Sequence, residues 1–232
     1  MHFSSRFSRT AATSQIKITV GDAQITPSAE ARNLGVIFDE HMTMRSHIKK
    51  TCRTAMGSIN KIGRIRNCLD KQSTLILTHA FVTSRLDSAN SLLSNLPECD
   101  TNQLQRIQNI SARITERVRR TAHITPILHK LHWLPVTKRT RFKVLLLTYK
   151  ALHGLAPAYI SELIQQHTPR RALRSQDQQL LQVPRTRTQY YGSRTFSAAA
   201  PTLWNSLPLH IRTAPTMDSF KRALKQYLFT TD

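Results

Sequence analysis

Residues 44–62, MRSHIKKTCRTAMGSINKI, decide the fold class. Met44, Ile48, Cys52, Ala55, Ile59 and Ile62 recur every three or four positions. A helix with about 3.6 residues per turn carries all six on one stripe, which needs a partner surface. Arg45, Lys49 and Arg53 lie roughly 100° round the helix from that stripe and form a basic flank. A long amphipathic helix of this kind predicts a helical bundle.

Upstream the period changes. Ile16, Ile18 and Val20 alternate with polar residues, and Gly21-Asp22 punctuates a turn. Ile25 opens a second extended run that Pro27 limits, and residues 34–38, LGVIF, suit a third strand. So few strands form a small β element at the edge of something larger, since a lone hairpin is at best marginally stable.

Downstream the helical pattern continues. Asp70 is placed to cap a second helix that passes Leu75, Phe81 and Val82 and runs to about Leu93, with Pro97 ending the region. Asp100 is placed to cap a third, carrying Leu104, Ile107 and Ile114, on which Arg113, Arg117 and Arg120 share a face. Thr125-Pro126 starts a short helix through Leu131. The segment RFKVLLLTYKALHG, 141–154, is apolar on nearly every side. Phe142, Leu145, Leu146, Tyr149 and Leu152 predict a buried central helix, with Gly154 as its stop. A short helix follows over 157–164. Residues 167–192 are basic, lack helical period and read as an extended loop. The last two helices cover 193–207 and 216–229, the second capped by Thr216. The expected class is mainly α, with over half of all residues helical. A boundary is expected near 116–124, where a basic polar stretch separates two apolar sets.

Composition points to a polyanionic partner. Lys and Arg total 34 against 13 acids, a formal charge of +21. That excess attracts nucleic acid with a strong dependence on salt, and an anionic membrane surface is the rival. Basic residues cluster at 45–53, 61–66, 113–120, 138–143 and 170–174. The candidate phosphate contacts are Arg45, Lys49, Arg53, Arg113, Arg117, Arg120, Lys138, Arg139, Arg141, Lys143, Arg170 and Arg171. Tyr190 and Tyr191 lie near the last basic loop and could stack on bases, although packing on the next helix is the commoner role for such tyrosines. The longest purely aliphatic run, 144–147, falls far short of the roughly 20 residues that span a bilayer. Cys52, Cys68 and Cys99 are widely spaced and odd in number, which suits a reducing compartment, nucleus or cytoplasm.

Catalytic chemistry is thin. Two-metal phosphoryl transfer needs paired carboxylates, and the single adjacent pair, Asp39-Glu40, reads as helix capping at a strand-to-helix junction. His129 and His132 beside Trp133 lack further metal ligands. There is no GxSxG elbow and no glycine-rich phosphate loop. No catalytic residue, metal ligand or cofactor is expected.

Six blocks are more specific than these patterns: RNLGVIFDEHMTMRSHI (32–48), HAFVTSRLD (79–87), ITPILHKLHWLPV (124–136), RFKVLLLTYKALHGLAPAYI (141–160), AAPTLWNSLPLHIR (199–212) and SFKRALKQYLF (219–229). In this order they resemble the end of the reading frame of non-LTR retrotransposons (LINE elements) of the jockey and chicken-repeat group. The resemblance runs from about Ile16 to Phe229. It implies that residues 1–40 are a remnant of a polymerase palm. Residues 41–120 are then a thumb-like helical region gripping a template–primer duplex, and 121–232 a C-terminal helical region. It also implies a parent RNA-directed DNA polymerase using Mg²⁺, whose catalytic aspartates and endonuclease belong upstream of residue 1. The family pattern after Arg85-Leu86-Asp87 continues with an aromatic residue and a cysteine, where this chain has Ser88-Ala89. The function so implied is a non-catalytic reverse transcriptase fragment binding RNA and DNA without sequence preference. The alternative is a host-used, transposon-derived module that binds nucleic acid or protein and has no polymerase activity. The oligomeric state stays open.

Overall fold

The computed structural model describes residues 17–167, 179–188 and 191–231. Arg170, Arg171, Tyr190 and the N-terminal stretch through Ile16 lie outside the described residues. More than half of the chain is helical, after a small N-terminal β element. Among the described residues no helix is long and apolar enough to cross a membrane.

Two separate hairpins form the β element. Strands β1 (Ile18–Val20) and β2 (Ala23–Ile25) pair antiparallel across a turn in which Gly21 has a φ of 58°. Strands β3 (Glu30–Asn33) and β4 (Val36–Asp39) pair with Asn33 opposite Val36. The two residues between them, Leu34 and Gly35, both take positive φ, as the commonest two-residue hairpin loop demands. The reading of Leu34 as a strand residue is therefore corrected. It is a turn residue, 97% exposed, and the apolar run that packs begins at Val36. Strand β3 was not anticipated, because EARN carries no apolar alternation. Its pairing is imposed by β4 and the Leu34-Gly35 turn.

Helix α1 (Arg45–Ile65) follows the predicted stripe: Met44, Ile48, Ala55, Ile59 and Ile62 are buried, and Cys52 is half-buried. Asp70 caps α2 (Lys71–Thr78) by accepting from the Ser73 amide at 2.9 Å. A single π-helical turn, 79–83, then leads into α3 (Ser84–Asp87). The expected run to Leu93 is interrupted. Ser88 is extended, Ala89 is left-handed, and a separate 3₁₀ turn covers Asn90–Leu93.

Helix α4 (Glu98–Glu116) has Pro97 at its N-cap. Asp100 is not the cap, as expected, but a first-turn acid, buried and facing Arg45 of α1. Its charge there opposes the positive end of the helix dipole. Helix α5 (Ile124–Lys130) starts after His123, so Thr125 and Pro126 sit in its first turn and Thr125 is no cap. Helix α6 (Val136–Leu152) is the buried central helix, and Gly154 (φ 67°) ends it with Leu155 N–H donating to Lys150 O at 2.8 Å. Leu145 and Tyr149 are buried, but Leu146 is only partly so. Helices α7 (Ala158–Ser161), α8 (Phe196–Asn205), α9 (Leu209–Arg212) and α10 (Met217–Thr230) complete the chain. Thr216 caps α10 in a capping box with Ser219. Helix α9 was not anticipated; it is a single turn between Pro208 and Pro215, too short to show a period.

The core has two main parts. The first joins β4, α1, α3 and α4, and Val136 of α6 belongs to it. The second gathers α6, α8, α9 and α10 round Tyr149, Trp204 and Phe220. A smaller cluster, Ala112, Ile127, Leu128 and Trp133, seats α5 on α4. Polar ties cross between the main parts. Gln108 donates to Leu134 O at 2.8 Å, the Val136 amide donates to Gln105 at 2.8 Å, and Arg139 grips Asp87.

Candidate nucleic-acid interface

Helices α1 and α4 run side by side in one direction. Arg45 and Asp100 join their starts through Nε at 3.1 Å, and the Arg66 side chain reaches the carbonyls that end α4. Gly63 lies against Ile114, so the helices approach closely at that end.

The end of the seam opens into a groove of about 710 Å³. Arg66, Arg106, Arg113, Arg117 and Arg120 line it, over an apolar floor that includes Ile110, Ile114 and Val118. No acid lines the groove, and none of the five arginines forms an ion pair among the described residues. The nearest acid in sequence, Glu116, is turned away to Lys71 at 2.6 Å and Lys130 at 2.7 Å. Burial pushes its carboxyl up, but the bonds from Lys130 and Lys71 outweigh burial and hold it below the usual carboxylate range.

Three of the five arginines also hold the backbone, Arg66 and Arg117 through two or more carbonyls and Arg113 through one. Arg66 is buried and donates to Ile114 O at 2.9 Å, Leu69 O at 2.8 Å and Thr115 O at 3.1 Å. It thus adds a partner to two carbonyls at the end of α4 and places a cation at the negative end of that helix. Arg117 donates through Nη2 to Arg66 O and Leu69 O, each at 3.0 Å. Burial, and next the charge of Arg117, lower the Arg66 pKa from its ordinary value; Asp70 acts the other way. A guanidinium stays charged nonetheless. The crowding of like charge is the electrostatic signature of a place where an anion is favoured.

The predicted trios fare differently. Arg113, Arg117 and Arg120 do not share a helical face. The helix ends at Glu116, and Arg117 takes the left-handed conformation with Val118 N–H donating to Arg113 O at 3.1 Å. The turn brings all three to the same groove by another route. Arg113 donates to Ala122 O at 3.0 Å, and its buried Nε has no hydrogen-bond partner. Arg45, Lys49 and Arg53 do share one exposed face of α1. Gly63 stands eighteen residues after Arg45, five full turns, so that face leads about 27 Å along the helix to the groove.

On α6 the basic cluster divides. Lys138 donates to Thr231 O, and Arg139 binds Asp87 through two nitrogens, Nε at 2.8 Å. Arg141 and Lys143 remain exposed. Tyr191 is half-buried beside Phe196 in an apolar hollow. Arg66 and Arg106 belong to the groove but were not among the candidates. Arg106 lies seven residues before Arg113, two turns along the same face, and that spacing was a usable signal.

The Asp39-Glu40 pair does not fit a metal site. Asp39 accepts from Thr43 N at 2.8 Å, Met44 N at 2.8 Å, Thr43 Oγ1 at 3.0 Å and His41 N at 3.2 Å, which occupies both its oxygens in starting α1. Glu40 lies against His41 instead, at 3.6 Å. Among the described residues no group of three His, Cys, Asp or Glu side chains could hold a metal ion. No family model, no curated protein and no solved structure matches the chain.

Proposed function

We propose that this chain binds the sugar–phosphate backbone of RNA and DNA, and that it is the thumb-side, non-polymerising end of a non-LTR retrotransposon reverse transcriptase. The observation that carries the binding is the groove at the α1–α4 seam, lined among the described residues by five arginines and no acid. The parentage rests on the resemblance of the six sequence blocks. Backbone contacts give affinity without sequence preference, and they release counterions. The apolar floor offers aliphatic surface and no aromatic ring to stack on a base, which favours contact with backbone over base readout.

The test is a salt titration of binding to a template–primer duplex. Arg106, Arg113 and Arg120 are the residues to replace by alanine, because Arg113 holds a single carbonyl whereas Arg66 and Arg117 each brace two or more. The expected result is a salt slope lower by about 2–3, with little difference between duplex sequences. An unchanged slope moves the contact surface to Arg141 and Lys143. A primer-extension assay with magnesium and nucleotides is expected to show no product; extension lost on changing Asp39 and Glu40 would overturn the reading of that pair as structural.

A further inference from the structure

A second concavity, of about 360 Å³, lies where α3, α6 and α10 meet, and it shares no lining residue with the arginine groove. We propose that it binds a terminal nucleotide: a phosphate monoester carried on a sugar that bears a free hydroxyl and a ring. Charge is the first argument. Among the described residues the only acid in the lining is Asp87, and Arg139 neutralises it through two bonds. Lys143 and Lys225 are left at the pocket, exposed and without an ion pair among the described residues. Two unopposed ammonium groups match a phosphate monoester, which carries about −1.5 to −2 near neutral pH. A phosphodiester link carries a single charge and matches less well.

Asn90 is the second argument. Its residue is 5% exposed, and its amide Nδ2 donates to Asp87 Oδ1 at 3.3 Å. That bond fixes the amide orientation, since the reverse would set a carbonyl against a carboxylate. Asn90 lines the pocket, and its Oδ1 is a buried acceptor with no hydrogen-bond partner among the described residues. Buried acceptors go unpaired at a cost, which a sugar hydroxyl brought against Asn90 would relieve. Phe142 and Leu146 supply an apolar wall for a planar ring. The volume is at the small end for ligand pockets, so it suits one nucleotide and excludes a duplex.

The source is either a free mononucleotide or the 5′-phosphorylated end of an RNA strand, whose 2′-hydroxyl stays free, and calorimetry on the whole chain separates them. A nucleoside 5′-monophosphate is expected to bind at least about tenfold more tightly than its nucleoside. Lys143→Gln and Lys225→Gln, both on exposed side chains, should each weaken it by about tenfold, and Arg106→Ala should leave it unchanged. If a strand with a 5′-phosphate is preferred over the same strand with a 5′-hydroxyl, the pocket takes strand ends. If the two strands bind alike while the mononucleotide still prefers its phosphate, it takes free nucleotide. Equal binding of nucleoside and monophosphate, or lysine variants that bind like the parent, would sink the proposal. The groove variants' salt slope is read separately, and Lys225 belongs to neither backbone surface, so failure of backbone binding leaves the Lys225→Gln result standing.

Discussion

Around α1 and α4 the buried cluster contains, among the described residues, no aromatic side chain, and Phe38 only packs on its edge, partly buried; Ile48, Ile59, Leu104 and Ile107 fill it. Around α6 and α10 three rings stack instead, with Tyr149 4.4 Å and Trp204 5.8 Å from Phe220 between ring centres. Their polar tips are tied as well. Tyr149 donates to Ala214 O at 3.0 Å and Trp204 to Gln179 O at 2.9 Å. Aliphatic stripes can shift and partly refill a lost methyl, because each contact is small and repeats along the helix. A ring stack with hydrogen-bonded tips has one geometry. The first core therefore spreads its stability over many residues, and the second concentrates it in a few.

The largest effect should be Trp204→Ala, costing about 3–5 kcal/mol, against about 0.5–1.5 for Ile59→Val. Urea unfolding measures both. Helix α6 contributes Val136 to the first core and Leu145 and Tyr149 to the second, so both variants should keep one transition. Two separated transitions would break the comparison into two independent units, with the join near the loop before α5. A smaller contrast lies within α6. Leu145→Ala should cost about 2–5 kcal/mol. Leu146→Ala, at a half-buried position, should cost about 1 kcal/mol.

The first core was the legible one. Its stripe in α1 recurs every three or four residues, and the cap at Asp70 is a local signal. Both survive folding, since periodicity encodes which face meets a partner. The second core was legible only where it was helical. That Leu145 rather than Leu146 faces inward could not be read from a segment apolar on nearly every side. Nor could the docking of Leu181, which is buried and held between its own backbone and Asn205 at 2.9 and 2.8 Å. At the candidate interface the basic residues were visible, but the turn at Arg117 was not. A helix usually stops there with glycine, so an arginine gave no warning that α4 ends. The groove itself is a product of two distant segments, 63–67 and 106–120, and no local pattern reports their meeting.

Acid should press on the first region. His47 and His79 are held below the ordinary imidazole pKa, in each case mainly by burial, with Lys50 and Arg139 adding to it respectively; Asp87 opposes at His79. Glu116 is also held low, by its two lysines. In all three the unfolded chain takes up its proton at a higher pH than the folded one. Stability is then fully present above the unfolded values and is lost as pH falls. The histidines contribute from about pH 6.5 downward, and Glu116 below about pH 4.5. The urea midpoint should fall steadily between pH 7 and pH 4. His79→Gln should flatten the upper part of that decline, and a decline unaltered by it would remove His79 from the account.

The smallest change in stability should come from Arg117→Gly, and it is the most informative about binding. Arg117 and His132 occupy the same kind of place. Each follows a helix in the left-handed conformation, φ 53° and 54°, with the next amide bonding back to close the helix end. Glycine relieves the crowding of a side chain in that conformation by about 1 kcal/mol. At Arg117 it also removes two bonds to carbonyls, each worth about 0.5–1.5 kcal/mol before allowing for their exposure. The two effects offset, so the unfolding free energy should stay within about 1 kcal/mol of the parent. His132 makes no such bonds among the described residues, and His132→Gly should gain roughly the full relief. In the duplex titration the pair should part the other way. Loss of one phosphate contact at Arg117 lowers the salt slope by about 0.9, while His132→Gly leaves it unchanged. If both glycine variants keep the parent slope, Arg117 is a brace for the end of α4 alone, and the groove binds through Arg106, Arg113 and Arg120.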